Sequence, residues 1–260
     1  MTQISSALSD PATDPVSTSG TRPLAVLGSS ASEVFDYIFG ANPLYHPLWA
    51  SGWSARVLRD PGEAPFITHA VQHLPRNTII LLNFGINDIQ FNLRYKMRKE
   101  GFYNLPGFLD EAAEGILAAH DLLKSLGFTT VLAIFASPII ALDRDYWDER
   151  NLPVVPVSVL GRMYCDLAGL VAQKGVPTLD LLERFLAGPK KPFLHPSFKR
   201  ARPDHHASYI ATQAAIWEGI SQIPGVPARR PEFHQKHYPH KPYEIRDWRM
   251  TGLARPRTAH

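Results

Sequence analysis

The stretch PLAVLGSSASEVF at residues 23–35 decides the fold. Its apolar run ends at Gly28, two serines follow, and the next residues have helical character. A short apolar run bounded by proline and glycine is typical of a buried strand in a parallel sheet. The stretch therefore predicts a strand that leads into a helix, with Ser29 and Ser30 at the turn between them.

Further segments repeat the apolar character of this strand, and helical patterns alternate with them. The strand segments are TIILLNFG at 78–85, TTVLAIFASP at 129–138 and VPTLDL at 176–181, and the helical patterns lie within 108–127, 158–175 and 207–223. Parallel strands need crossover connections, so this alternation predicts an α/β fold, a three-layer αβα sandwich with a central parallel sheet. Ligands bind such sheets beyond the carboxyl ends of the strands, and the residues that follow each strand are the site candidates.

Length and composition predict one globular domain with an appendage at each end. The chain has 260 residues, of which 45% are hydrophobic, enough to bury a core. Residues 1–22, rich in Ser, Thr, Asp and Pro, predict a flexible leader. Residues 23–223 form the predicted domain, and residues 224–260 form a basic tail with eight Lys/Arg and three Asp/Glu. Prolines dilute the charge of this tail, so we expect no nucleic-acid binding.

The sequence favours a cytoplasmic protein with no membrane partner. The first 22 residues lack the basic start and apolar run of a secretory signal, and no run of roughly 18 uncharged apolar residues occurs. The single cysteine, Cys165, excludes an intramolecular disulfide and a cysteine-based zinc site. The oligomeric state stays open.

Three polar motifs stand at the ends of predicted elements, and each has two interpretations. A serine at the start of a helix caps it or acts as a nucleophile. In NFGINDIQFN, the amide of Asn87 donates to an oxyanion or forms an Asx turn. In RPDHHASYIA, Asp204 orients an imidazole base, His205 or His206, or else Asp204 or Ser208 caps the last helix.

The order of these motifs resembles the SGNH (GDSL-type) hydrolase family, whose four blocks supply Ser, Gly, Asn and His. The first block is Gly-Ser-Ser here, with Ser29 in place of the usual Asp, and the third block is GIND at 85–88. Gly52 in WASGWSA is the best match to the second block, and the last block is Asp-x-His instead of Asp-x-x-His. The resemblance spans residues 23–223 and implies a flavodoxin-like SGNH-hydrolase fold.

The resemblance implies catalytic roles for the matching residues. Ser30 is the nucleophile, His206 is the base that takes and returns its proton, and Asp204 orients the ring of that base. His205 lies next to Asp204, fits neither spacing, and is the second choice of base.

The remaining site residues follow from the middle blocks. The backbone N–H groups of Ser30 and Gly52 and the side-chain amide of Asn87 are expected to form the oxyanion hole. The basic, aromatic segment at 91–103 follows the Asn block and is expected at the mouth of the site. The residues expected to bind substrate are Asp88, Arg94 and His205.

The predicted function is serine-dependent hydrolysis of a small or carbohydrate-linked ester, without a metal or an organic cofactor. Two alternatives stay open: O-acyl transfer to a glycan or small molecule, and a non-catalytic binding module that keeps the fold. The binding module predicts that Ser30, Asn87 and His206 do not converge. An unrelated domain that binds phosphate through the backbone of residues 28–30 would need no role for His206.

Overall fold

Parallel strands form the central sheet of the computed structural model, which describes residues 20–101, 104–201 and 204–237. They are β1 (Leu24–Gly28), β2 (Tyr45–Trp49), β3 (Ile79–Asn83), β4 (Thr130–Phe135) and β5 (Thr178–Asp180). Their order in the sheet is β2-β1-β3-β4-β5, and every pair is parallel. A separate antiparallel hairpin joins β6 (Leu186–Gly188) to β7 (Lys191–Leu194). The parts of the predicted leader and tail at residues 1–19 and 238–260 lie outside the described residues.

Helices cover both faces of this sheet. They are α1 (Val34–Phe39), α2 (Glu63–Val71), α3 (Leu93–Glu100), α4 (Leu105–Ser125), α5 (Arg144–Asp148), α6 (Val157–Gln173) and α7 (Tyr209–Ile220). Alternate residues of β1 enter two cores: Ala25 and Leu27 pack on the side of α4 and α6, and Leu24 and Val26 on the side of α1 and α7. This is the three-layer αβα sandwich that the sequence predicts. Within the described residues, no helix combines the length and apolar character needed to cross a bilayer.

The strand order reverses at β1, which lies between β2 and β3. Gly28, the last residue of β1, pairs with Trp49 on one side and with Asn83 on the other. After β1 the chain enters α1 on one face, whereas after β3 it leads to α4 on the opposite face. A crevice opens where connections diverge in this way, so the residues that follow Gly28 and Asn83 share one edge of the sheet.

The sequence analysis did not predict β2. This strand reads YHPLW and lies at the edge of the sheet. An edge strand tolerates Pro47 because one side of its backbone has no partner strand. Without a continuous apolar run, β2 lacks the pattern that identifies the central strands.

Residues on both sides of the predicted domain make contacts with it. Arg22, at the end of the predicted leader, donates to the carbonyl of Asn77 at 2.7 Å and to the hydroxyl of Thr130 at 2.8 Å. In the tail, the N–H of Arg230 donates to the carbonyl of Ile38 in α1 at 2.9 Å. The first part of the tail therefore packs on the α1 side of the sandwich.

The end of β1 requires glycine, which gives a stability prediction. A Cβ on Gly28 would overlap the carbonyl oxygen of Asn83 and the hydroxyl of Ser32. We expect Gly28→Ala to lower the free energy of unfolding by about 1–3 kcal/mol, measured by urea denaturation. Gly169→Ala is the matched control, because Gly169 is exposed in α6 with no atom near its Cβ direction, and it should stabilise by about 0.5–1 kcal/mol. Equal unfolding midpoints for the two variants would contradict the close approach of β1 and β3.

Candidate active site

Ser30 begins a short 3₁₀ helix, Ser30–Glu33, directly after β1. Its Oγ lies 2.9 Å from Nε2 of His206. The neighbouring Ser29 is buried, and its side chain makes no cap hydrogen bond to the helix. Of the two serines at this turn, Ser30 is therefore the one that presents its hydroxyl to an imidazole.

The end of β3 fixes the turn that carries Ser30. The N–H of Ser29 donates to the carbonyl of Asn83 at 3.3 Å, and Asn83 Nδ2 donates to Ser32 Oγ at 3.0 Å. These bonds satisfy buried polar groups where the strand becomes a helix. They hold the backbone of Ser30 at the crevice between β1 and β3.

The loop before α7 supplies His206 and its carboxylate partner, Asp204. His206 Nδ1 lies 3.0 Å from Asp204 Oδ1, and the backbone N–H of His206 donates to the same oxygen at 3.1 Å. The Asp-x-His spacing therefore permits the ring and the backbone to bond one carboxylate together. Ser208 caps α7 by accepting from the N–H of Ala211 at 3.4 Å, so the helix does not need Asp204 as its cap.

Arg200 places a positive charge on the other carboxylate oxygen of Asp204. Its Nη1 lies 2.5 Å from Asp204 Oδ2, and its Nε donates to the carbonyl of Ala207 at 3.1 Å. Burial raises the pKa of Asp204, but the hydrogen bond from His206 and the surrounding positive charges, chiefly His206 and Arg200, outweigh it and hold that pKa well below its usual range. The ionised carboxylate favours the His206 tautomer whose Nε2 accepts a proton from the serine.

Tyr209, the first residue of α7, ties the nucleophile to the same loop. Its hydroxyl donates to the backbone carbonyl of Ser30 at 3.1 Å. Its ring lies edge-on to Tyr37 of α1, with centroids 5.3 Å apart, and the guanidinium of Arg200 lies 4.7 Å from its centroid. The start of α7 therefore positions both the backbone of Ser30 and the loop that carries His206.

A cleft of about 240 Å³ opens beside the serine and the imidazole. Its lining residues are Ser29, Ser30, Ala31, Ile86, Asn87, Gln90, Phe91, His205 and His206. They come from the turn after β1, the segment after β3 and the loop before α7. The structure thus brings three of the sequence motifs to one place.

Asn87 links the cleft to the loop that contains Gly52. Its Nδ2 donates to the carbonyl of Gly52 at 3.0 Å. Gly52 has a φ of +76°, in the left-handed region that favours glycine. The backbone N–H groups of Ser30 and Gly52 have no hydrogen-bond acceptor within the described ranges. Of the three groups expected to form the oxyanion hole, Ser30 and Asn87 line the cleft, and Gly52 is joined to it through its bond from Asn87.

Asp88, which the sequence analysis expected to bind substrate, is fully buried. Its carboxylate accepts from the hydroxyl of Ser54 and from the N–H groups of Ala55, at 2.7 Å, and Arg56, at 3.3 Å. Burial raises the pKa of Asp88 above its usual value, although these hydrogen bonds act in the opposite direction. The side chain therefore fixes the turn at 54–56 beside Gly52, and the expectation of a substrate contact is corrected.

Arg94 is also buried and does not line the cleft. Its guanidinium donates to the carbonyls of Gln90, at 2.5 Å, and Pro153, at 3.2 Å, and lies 3.7 Å from the ring centroid of Trp147. Burial lowers its pKa to about 10. Arg94 holds α3 against α5 and the loop at 153–155, which corrects its expected role in substrate binding.

His205 lies beside His206 and makes no hydrogen bond to Ser30 within the described residues. Its ring centroid is 4.0 Å from that of His206, and its Nδ1 is 2.9 Å from the hydroxyl of Tyr146. Burial, together with the positive charge of His206, lowers the pKa of His205 to about 4. At neutral pH His205 is uncharged, and His206, not His205, lies within hydrogen-bond distance of Ser30.

Asp204, His205 and His206 are near enough to one another to be considered as metal ligands, with donor atoms within 4.8 Å. The same atoms already have partners: His206 Nδ1 bonds Asp204, and His205 Nδ1 bonds Tyr146. The cluster is arranged as a hydrogen-bonded acid–base pair with a neighbouring imidazole.

Comparison with solved structures matches this fold at low sequence identity. A GDSL-like lipase from Bacteroides thetaiotaomicron is 18% identical, and the match covers 77% of this chain and 88% of that chain with a TM-score of 0.52. The fold is that of the GDSL-type hydrolases. A candidate acylhydrolase from Bacteroides fragilis is 17% identical over 82% of this chain and 90% of that chain, with a TM-score of 0.51. No protein-family model and no curated protein matches the sequence.

Three residues that shape the site within this GDSL-type fold were missed by the sequence analysis. Arg200 stands four residues before Asp204, two residues upstream of the motif RPDHHASYIA, and Tyr209 lies inside that motif, directly after the cap of α7. The sequence features that could have identified them are a basic residue close to Asp204 and an aromatic residue at the start of the last helix. Tyr146 lies on α5, 59 residues from His205, and no local pattern connects them.

The ion pair between Arg200 and Asp204 gives a testable pKa shift. We expect Arg200→Gln to raise the pKa of Asp204 by about 1–3 units, because an adjacent positive charge is removed, as measured by ¹³C NMR of the labelled carboxyl. Arg59→Gln is the control, since Arg59 pairs with Glu111 and Glu114 on the surface and should leave the Asp204 signal in place. A carboxyl that titrates identically in Arg200→Gln and the wild type would refute the assigned ion pair.

The lowered pKa of His205 predicts a pH dependence of stability. Between pH 6.5 and about 4 the unfolded chain binds a proton at His205 that the folded chain does not, so acidification through this window destabilises the fold. We expect the melting temperature of His205→Gln to fall less steeply than that of the wild type from pH 7 to pH 5. His69→Gln removes an exposed histidine of α2 and should keep the wild-type slope. Parallel slopes for all three proteins would show that His205 is not desolvated.

Proposed function

We propose that the protein is a serine hydrolase that cleaves carboxylic esters with a small acyl group. The observation that carries this proposal is the continuous chain from Ser30 Oγ to His206 Nε2, at 2.9 Å, and from His206 Nδ1 to Asp204, at 3.0 Å. A hydroxyl, an imidazole and an ionised carboxylate in this order are the parts that general-base activation of a serine needs.

In the proposed reaction, Ser30 Oγ forms a bond to the ester carbonyl carbon while its proton passes to His206 Nε2. The carbonyl oxygen becomes an oxyanion, and the tetrahedral species then breaks its bond to the alcohol oxygen, which takes the proton from His206. The acyl group remains on Ser30. A water molecule then attacks the acyl carbon as His206 takes its proton. The bond from this carbon to Ser30 Oγ breaks, His206 returns the proton to Oγ, and the carboxylic acid leaves.

The oxyanion is assigned to the donors beside the serine. They are the N–H groups of Ser30 and Gly52 and the amide of Asn87. Donors fixed by their surroundings stabilise a developing charge without reorganisation. The turn at 54–56, held by Asp88, and the bond from Asn87 to Gly52 supply this rigidity.

Hydrolysis is favoured over acyl transfer because the cleft is open along Ser30, Asn87 and Phe91. Transfer to another alcohol requires that water be excluded from the acyl-enzyme. Beside the histidines, Val34, Ile140 and Ile216 line an apolar recess that has room for a small group only, which favours a short acyl chain.

The binding-module alternative predicts that Ser30, Asn87 and His206 stay apart. Ser30 and His206 lie in hydrogen-bond contact, and Asn87 lines the same cleft. The turn stays closed with Ser29 in place of the first-block acid, because the N–H of Ser29 donates to the carbonyl of Asn83 and the side chain of Asn83 donates to Ser32 Oγ. This geometry supports the enzyme over a module that only keeps the fold.

The first test is covalent labelling by a fluorophosphonate together with turnover of p-nitrophenyl acetate. We expect one adduct by intact mass, mapped to Ser30, and a loss of turnover of at least about a thousandfold in Ser30→Ala. Ser29→Ala should still be labelled at Ser30, and Ser125→Ala, at an exposed site on α4, should match the wild type. A wild-type protein that is folded but gives neither adduct nor turnover would overturn the proposal in favour of the binding module.

Asn87 provides a second test of the same reaction. We expect Asn87→Ala to lower kcat by about 10²–10³-fold with a smaller change in KM, because its amide stabilises the oxyanion more than the ground-state carbonyl. Stopped-flow kinetics with p-nitrophenyl acetate would measure both constants. The exposed Asn151→Ala is a remote control that should leave them unchanged. A rise in KM alone would show that Asn87 only binds the substrate.

A further inference from the structure

His205 is an imidazole in the cleft that the proposed reaction does not use. Its ring packs against the ring of His206. The ring of Phe91 lies edge-to-face with His205, with the centroids 5.0 Å apart and an interplanar angle of 86°. The side chain is about one-third exposed. His205 is thus held in a defined orientation at the surface of the cleft.

Tyr146 sets that orientation. Its hydroxyl lies 2.9 Å from His205 Nδ1, whereas Asp204 Oδ1 is farther from the same nitrogen, at 3.3 Å. Arg150 covers the ring of Tyr146, with its Cζ 3.6 Å from the centroid, and donates to the Tyr146 carbonyl at 2.8 Å. Because Tyr146 occupies Nδ1, the other ring nitrogen, Nε2, is the one with no partner within the described ranges.

The position of His205 corresponds to the alcohol side of a bound ester. His206 must return its proton to the alcohol oxygen as the ester bond breaks, so that oxygen has to lie next to His206 Nε2. His205 packs against His206, and Phe91 packs against His205, on the wall of the same cleft. In a bound ester, the groups attached to the alcohol oxygen therefore contact His205 and Phe91, while the carbonyl oxygen points towards Asn87 and Gly52.

We propose that His205, oriented by Tyr146, binds a hydroxyl group on the alcohol part of the substrate, so that the preferred esters are monoesters of a vicinal diol. This inference rests on the proposed hydrolase function and names its substrate class. Phe91 and Tyr146 supply aromatic surface for the carbon frame of that alcohol.

A hydroxyl fits this site better than other groups do. His205 is uncharged at neutral pH, so it offers no ionic attraction to a carboxylate or an ammonium group. Its Nε2 donates or accepts according to the tautomer that Tyr146 selects, and a hydroxyl group can meet either tautomer because it is both donor and acceptor. Tyr146 acts through His205 and is a positioning residue.

The test compares two esters that differ in one hydroxyl group. The monoacetate of trans-1,2-cyclohexanediol and cyclohexyl acetate share the acyl group and the ring, and acetate release by pH-stat gives kcat/KM for each. We expect the wild type to prefer the diol ester by about tenfold, the effect of one hydrogen bond. This ratio should fall towards one in both Tyr146→Phe and His205→Phe. Tyr95→Phe, at a tyrosine of α3 that is 45% exposed, should retain the wild-type ratio.

The outcomes separate this inference from the function on which it rests. Equal kcat/KM values for the two esters, with fluorophosphonate labelling of Ser30 intact, would overturn the hydroxyl site and leave the hydrolase standing. A wild-type ratio in both Tyr146→Phe and His205→Phe, with unchanged melting temperatures, would also overturn it. Absence of labelling and of hydrolysis would overturn both proposals. If His205→Phe does not fold, Tyr146→Phe alone decides, because it removes one hydroxyl and keeps the ring.

Discussion

The hydrogen bond between Ser30 and His206 joins residues that are 176 positions apart, and the rest of the site is arranged around it. One partner follows the first strand of the sheet, and the other precedes the last helix. They meet because α1 and α7 pack on the same face and Tyr209 bonds the backbone of Ser30. The packing of α1 against α7 therefore sets the distance between Ser30 and His206. The turn after β1 sets only the orientation of the serine side chain.

Charge is distributed unevenly around this bond. Asp204 is held ionised against its burial by the hydrogen bond from His206 and the charge of Arg200, whereas burial keeps the neighbouring His205 neutral. The two imidazoles are adjacent in sequence but have different partners, because His206 contacts Ser30 and Asp204 whereas His205 contacts Tyr146. In the proposed reaction His206 moves the proton, and the inferred role of His205 is to bind a hydroxyl group of the substrate.

The sequence predicts the residues that stand at the ends of regular elements, and it fails where burial or distant contacts decide. The sandwich follows from apolar runs such as 78–85, and Ser30 with Asp204 and His206 follow from short motifs beside such runs. Asp88 and Arg94 were expected to contact substrate because charged residues near a motif are usually exposed, but both are buried by packing that no local pattern encodes. Tyr146 meets His205 only because of where α5 packs in the fold, and no local sequence pattern predicts the position of α5.

The separation of the site along the chain has a consequence for biosynthesis. A nascent chain that has emerged from the ribosome through β5 contains the serine but neither the acid nor the base, because Asp204 and His206 come later. A serine without its base is a weak nucleophile. Under the proposed mechanism, incomplete translation products therefore carry an inert hydroxyl, and Ser30 becomes reactive only when the last helix docks on the finished sheet.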